Sequence, residues 1–177
     1  MDASKFIIPL SGQPTGQFSI SQLVPVSRLP VSLKKLHHLA IVPKYQTPGS
    51  AGADFHAVVG DEADSAIAIN PGQTVRVGTG IALHIESPNW SLVLMPRSGL
   101  GSKGIILANT VGLFDSDYQG EVLISLYNRS NEPFTVKNGD RVAQGVFMPV
   151  LQAAFTLADE FSSVTERGTG GFGSTGK

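Results

Sequence analysis

Short apolar runs, punctuated by Gly, Pro, Asn and Ser, recur along the chain, and sustained helical periodicity is scarce. Residues 67–69, 74–77, 81–85, 91–95, 111–114, 122–127 and 141–148 are rich in β-branched and aromatic side chains, with turn signals between them. The pattern predicts an all-β domain: a sandwich, a jelly-roll-like fold or a barrel. Helix is expected only as a turn or two after Ser98 and as a short piece near residues 157–161. The runs 111–114 and 122–127 flank a polar stretch and predict a hairpin that carries Asp115, Asp117 and Tyr118.

Charge placed between two apolar runs needs a reason. Asp115 leaves the first run on a rigid support, and on chemistry alone it is a general base, a metal ligand or a turn-former. Pro96-Arg97-Ser98-Gly99 sets a guanidinium, a hydroxyl and a glycine amide at the end of a strand, which suits phosphate oxygens. Ser98 would equally serve as a plain helix cap. Asn109 offers an amide donor and acceptor together, as a base edge or a turn requires.

The tail contains two misleading patterns. Gly168, Gly170 and Gly173 have the spacing of a dinucleotide fingerprint, yet no strand run precedes them and no helix can follow. Gly171, Gly176 and Lys177 begin like a phosphate loop that the sequence does not continue. What remains is the physics both motifs share. Glycine amides can converge on a phosphate, Arg167 adds a cation, Ser174 and Thr175 add hydroxyls, and Phe172 can close over a nucleobase. A flexible terminus is the simpler reading of the same composition.

Composition narrows the classes. With 177 residues, 41% hydrophobic and 15% charged, the chain suits one domain with a real core. Residues 1–35, with Pro9, Pro14, Pro25 and Pro30, read as an extension with one edge strand and no assigned role; 36–166 read as the β domain and 167–177 as a terminal arm. A net charge of -1 argues against broad adhesion to nucleic acid or an anionic membrane. The absence of cysteine excludes a disulfide framework, a thiolate zinc site and a cysteine nucleophile. No run has transmembrane length and no leader-like start is present, so a cytoplasmic protein is expected, or a nuclear one in a eukaryotic host. The four histidines show no metal-ligand spacing.

Five segments in fixed order carry a family resemblance: Ala51-Gly52-Ala53-Asp54-Phe55, Pro96 to Gly101, Gly112 to Glu121, Gly139 to Gln144, and Arg167 to Gly176. Together they resemble the motifs of the homotrimeric dUTPases, the deoxyuridine triphosphate nucleotidohydrolases, over residues 40–177. The resemblance implies a trimeric jelly-roll-like protein that hydrolyses dUTP to dUMP and pyrophosphate, keeping uracil out of DNA and supplying dUMP for thymidylate synthesis. It implies that Asp115 activates water for attack on the α-phosphorus, that Arg97, Ser98, Gly99 and Gln144 contact phosphate, and that Mg²⁺ is held mainly by the triphosphate. Asn109, with main-chain groups around Leu113, Phe114 and Leu123, would read uracil. Tyr118 would lie against the deoxyribose and exclude a 2′-hydroxyl. Arg167, Phe172, Gly173, Ser174 and Thr175 would form an arm closing over the nucleotide, with each site assembled from three chains.

Asp54 would touch the metal only through water, or else be structural. Two departures from the family pattern stand out: Ser102-Lys103-Gly104 is one residue short and lacks a histidine, and Phe114 replaces an aliphatic residue. The alternatives are a dCTP deaminase-like enzyme of related fold and a non-catalytic nucleotide-binding module.

Overall fold

The computed structural model describes residues 28–171, so Phe172, Gly173, Ser174 and Thr175 lie outside the described residues. Eleven strands and one short helix form among them: β1 Val31–Lys35, β2 Ala53–His56, β3 Ala66–Ile69, β4 Thr74–Val77, β5 Ile81–Ile85, β6 Trp90–Met95, α1 Ser98–Gly101, β7 Ile105–Leu107, β8 Gly112–Phe114, β9 Ile124–Asn128, β10 Phe134–Lys137 and β11 Arg141–Pro149. The expected all-β architecture is therefore present. No helix among the described residues is long and apolar enough to cross a membrane.

Every ladder is antiparallel, and most join strands distant in sequence: β1 with β5, β10 with β3, β2-β11-β6-β8, and β4-β9-β7. This interleaving is that of a jelly roll, in which strands return across the fold rather than to their neighbour. One face of each sheet closes on a common core. Phe55, Ile69, Val77, Ile81, Leu92, Leu94, Ile105, Leu107, Ile124, Leu126 and Val136 are all buried there. Burial alternates along β9 as Ile124, Leu126 and Asn128 point inward, the period a half-buried strand requires. Buried Asn128 is satisfied, donating to the carbonyls of Ile69 and Glu132 and accepting from Ser130.

Three expectations need correction or refinement. The runs at 111–114 and 122–127 form β8 and β9, but these strands belong to different sheets and no hairpin joins them. Periodicity reports that a strand exists, not which strand it pairs with. The expected helix near 157–161 is absent: Leu157 and Phe161 stand at helical spacing, yet both are almost wholly exposed and no apolar surface among the described residues covers them. The edge strand expected before residue 36 is β1, whose full register with β5 makes residues 31–35 part of the domain.

The close approach of β11 to the core depends on one glycine. A Cβ on Gly145 would lie 2.6 Å from the Phe55 ring and 2.8 Å from Leu92 Cδ1. Gly145→Ala is expected to cost about 1–3 kcal/mol by overpacking and to lower Tm by several degrees. Gly49→Ala, where a Cβ meets nothing within 4 Å, serves as the control. Equal melting of the two variants would contradict this packing.

Candidate active site

Strand β6 carries a different group of predicted site residues at each end. Leu92 pairs with Phe114 and Leu94 with Gly112, so continuing the register sets Asp115 level with Ser91. Arg97 follows the other end of β6 in extended backbone, at φ -82° and ψ 138°. Six residue steps separate the two levels, roughly 20 Å at the rise of a strand.

At the Arg97 end the chain builds a charge cluster. The buried Asp54 carboxylate receives Arg97 Nε at 2.9 Å on one oxygen and an Arg141 guanidinium nitrogen at 3.1 Å on the other. Arg97 also donates to the Arg141 carbonyl at 3.3 Å. Gln144 donates its amide to the Pro96 carbonyl at 3.0 Å and packs against Gly52, anchoring the loop that presents Arg97. The cluster therefore unites Asp54, Arg97 and Gln144, and adds Arg141, which the reading of single residues missed. The signal lay in the Gly139 to Gln144 motif, where an arginine follows a turn and opens a strand.

Both oxygens of Asp54 face guanidinium groups, which favours its structural reading over a metal contact. Among the described residues no group of three or more His, Asp or Glu side chains is placed to hold a metal ion. Arg97, not Ser98, occupies the N-cap position of α1, and no side chain caps it. The Ser98 hydroxyl is exposed and no partner engages it among the described residues, so simple capping does not explain this serine.

A cavity opens beside β8, where it faces Leu94 of β6 on one side and β7 and β9 on the other. Leu94, Leu107, Asn109, Gly112, Leu113, Phe114, Leu123 and Ile124 are among the residues that line this cavity of about 100 Å³, which is open to solvent. Four predicted site residues thus meet in one place. Asn109 is exposed, and its side-chain amide has no hydrogen-bond partner among the described residues. Asp115 and Tyr118 line an adjoining, smaller cavity whose wall includes Phe114.

Although β8 and β9 do not pair, the segment between them is tightly held. Ile85 N–H donates to the Ser116 carbonyl, Val122 N–H to the Ile81 carbonyl, and Thr79 Oγ1 to the Val122 carbonyl. Glu121 accepts from the N–H groups of Thr79 and Gly80 at 3.1 and 2.7 Å. Tyr118 donates its hydroxyl to the Glu121 carbonyl at 3.0 Å, and its ring meets Phe114 edge-on at 5.9 Å. These contacts fix Tyr118 while leaving the exposed Asp115 carboxylate without a protein partner among the described residues. Glu121 is a second positioning residue that the sequence reading did not single out.

Beyond β11 the chain leaves its own core. Leu151, Phe155, Leu157, Phe161 and Val164 are each at least 93% exposed. Arg167 follows on an exposed turn and donates Nε to the Gly170 carbonyl at 3.0 Å.

Comparison with known proteins gives a consistent result. The dUTPase family model matches residues 38–176. A Shewanella halifaxensis protein named deoxyuridine 5′-triphosphate nucleotidohydrolase is 54% identical over 136 residues, covering 76% of this chain and 86% of its own. An Actinobacillus pleuropneumoniae protein of the same name is 55% identical over 137 residues, covering 77% of this chain and 87% of its own. A mutant dUTPase of Staphylococcus bacteriophage 80alpha, solved with dUpNHpp, shares the fold at a TM-score of 0.73 and 23% identity, over 84% of this chain and 99% of that one. A mutant dUTPase of phage phi11, described with a structural Mg(II) ion, has a TM-score of 0.67 at 20% identity, over 76% of this chain and 99% of its own.

His56 gives the cluster a pH-dependent consequence. It ends β2 opposite Arg141, and its buried Nδ1 has no hydrogen-bond partner. Burial lowers its pKa below the ordinary 6.5; Asp54 opposes this, whereas Arg141, Arg97 and Lys44 add to it. The folded state thus binds a proton less readily than the unfolded chain. The His56 contribution to stability is present above pH 6.5, falls away as pH drops toward the lowered folded value, and changes no further below it. His56→Phe is expected to remove this part of the acid-side fall in Tm. Superimposable Tm against pH curves for the two proteins would refute it.

Proposed function

The chain belongs to the dUTPase family and hydrolyses dUTP to dUMP and pyrophosphate, and we propose that it does so in a site shared between three copies of the chain, with Asp115 as general base. Asp115 stands beside the cavity with an unpartnered carboxylate on a laced segment, as a base that must take a proton from water requires. Asn109 meets the uracil edge with its amide, and Tyr118, fixed through its hydroxyl, presents its ring to the sugar. Phosphate oxygens fall to Arg97, Ser98 and Gly99, with Gln144 holding their loop. Arg167 and the residues after it close over the nucleotide.

The observation that carries the shared site is the length of β6. A base acting on the α-phosphorus and a guanidinium acting on the next phosphates must lie within one triphosphate of each other. Within one chain, Asp115 and Arg97 are roughly 20 Å apart along the strand. The Arg97 cluster of one copy must then face the Asp115 cavity of another, as closed cyclic symmetry permits. Five large exposed side chains between residues 151 and 164 supply apolar surface for a neighbouring copy.

Magnesium fits as the companion of the substrate rather than as a caged metal, since it prefers phosphate oxygens and keeps its waters. When bound, it supplies neutralisation of the phosphate charge. The cysteine-free composition and the substrate suit the cytoplasm, or the nucleus of a eukaryotic host. The family match leaves the deaminase and non-catalytic alternatives without support.

Asp115→Asn keeps the shape and removes the proton acceptor. It is expected to lower kcat on the order of 10²- to 10⁴-fold while nucleotide binding is largely retained. Turnover within a few-fold of the parent would assign the base elsewhere.

A further inference from the structure

Thr110 has a φ of 61°, and it is the one non-glycine residue with positive φ among the described residues. A β-branched side chain is poorly tolerated in the left-handed region, so the surroundings must hold it there. Three hydrogen bonds do so. Thr110 N–H donates to the Leu107 carbonyl at 2.9 Å, its hydroxyl donates to the Asn109 carbonyl at 2.6 Å, and Val111 N–H donates to the same carbonyl at 2.6 Å. The last bond spans two residues about a positive φ, the rare and strained form of the γ-turn.

The position of this turn gives the strain a purpose. Residues 108–111 connect β7 to β8, which lie in different sheets, and the Asn109 cavity opens between those sheets. The Asn109 carbonyl accepts from both sides of the turn, so the peptide from which its side chain departs is fixed. The amide nitrogen of that side chain lies 3.8 Å from where a Cβ on Gly112 would stand, in the space the glycine leaves clear. We propose that Thr110 is a positioning residue for base recognition, its hydroxyl-locked γ-turn holding Asn109 at the mouth of the cavity before the nucleotide arrives. The inference rests on the assignment of that cavity to the uracil of dUTP.

The test separates positioning from plain structural support, because the two predict opposite changes. Thr110→Gly relieves the strain but frees the turn, so it should melt at or above the parent temperature. Its affinity for the non-hydrolysable imido analogue of dUTP, measured by calorimetry, should fall about tenfold if the free turn adopts the competent geometry about one-tenth of the time. KM for dUTP should rise in parallel while kcat stays within about threefold. Thr110→Ser keeps the hydroxyl and should restore parent affinity; Thr110→Val keeps the strain without the hydroxyl and should lose both stability and affinity. Parent-like affinity in Thr110→Gly, a parallel loss of melting temperature and affinity in that variant, or failure of Thr110→Ser to restore binding would each overturn the inference. Those results with parent turnover of dUTP intact would leave the functional reading standing. A parent that bound no analogue would overturn the reading and the inference together.

Discussion

Strand β6 is the rule against which the rest of the molecule is measured. Its antiparallel register with β8 sets the Asp115 cavity at one end, while the extended residues after Met95 carry Arg97 away from the other. A rigid ladder of this kind does not fold back on itself, which is why the proposed site joins the phosphate ligands of one chain to the base of another. The short connection from β7 to β8, the lacing of residues 115–123 onto β5, and the chain leaving the core after β11 all suit the proposed site completed by neighbours.

The charge cluster at the Arg97 end follows from the same geometry. Asp54 is buried, and a buried carboxylate must be paired or lose its charge. Here two guanidinium groups pair with it, leaving the cluster net positive and holding Arg97 before any phosphate binds. Arg97 spends Nε and one donor of a terminal nitrogen on the protein, so most of its fork remains for an anion. In the proposed site, placing the arginine in advance would lower the cost of ordering it on substrate binding.

Much of this was legible in the sequence, for identifiable reasons. β4 and β5 match their apolar runs residue for residue, because each alternates or stays apolar between clear turn signals. β2, β7 and β10 were not read as strands. β2 contains a buried aspartate and a small alanine, β7 has three residues, and β10 is bounded by turns that mask its short alternation. Chemistry singled out Asp115 and Asn109, but their placement in the fold follows from strand pairing, which one-dimensional periodicity does not encode. The strain at Thr110 was invisible for the same reason: nothing in Asn-Thr-Val announces a positive φ. Leu157 and Phe161 suggested a helix face, yet an amphipathic spacing becomes a helix only when something covers it.

The most direct test of the shared site is complementation between two inactive chains, Asp115→Asn and a chain lacking residues 167–177. The two are unfolded together, refolded as a mixture and assayed for dUTP hydrolysis. Around a mixed ring, an intact aspartate is followed by an intact arm once, so roughly one site in three of each mixed trimer should regain turnover. If one chain supplied both elements, every site would lack one of them. Activity no greater than that of the two variants refolded apart would contradict the account.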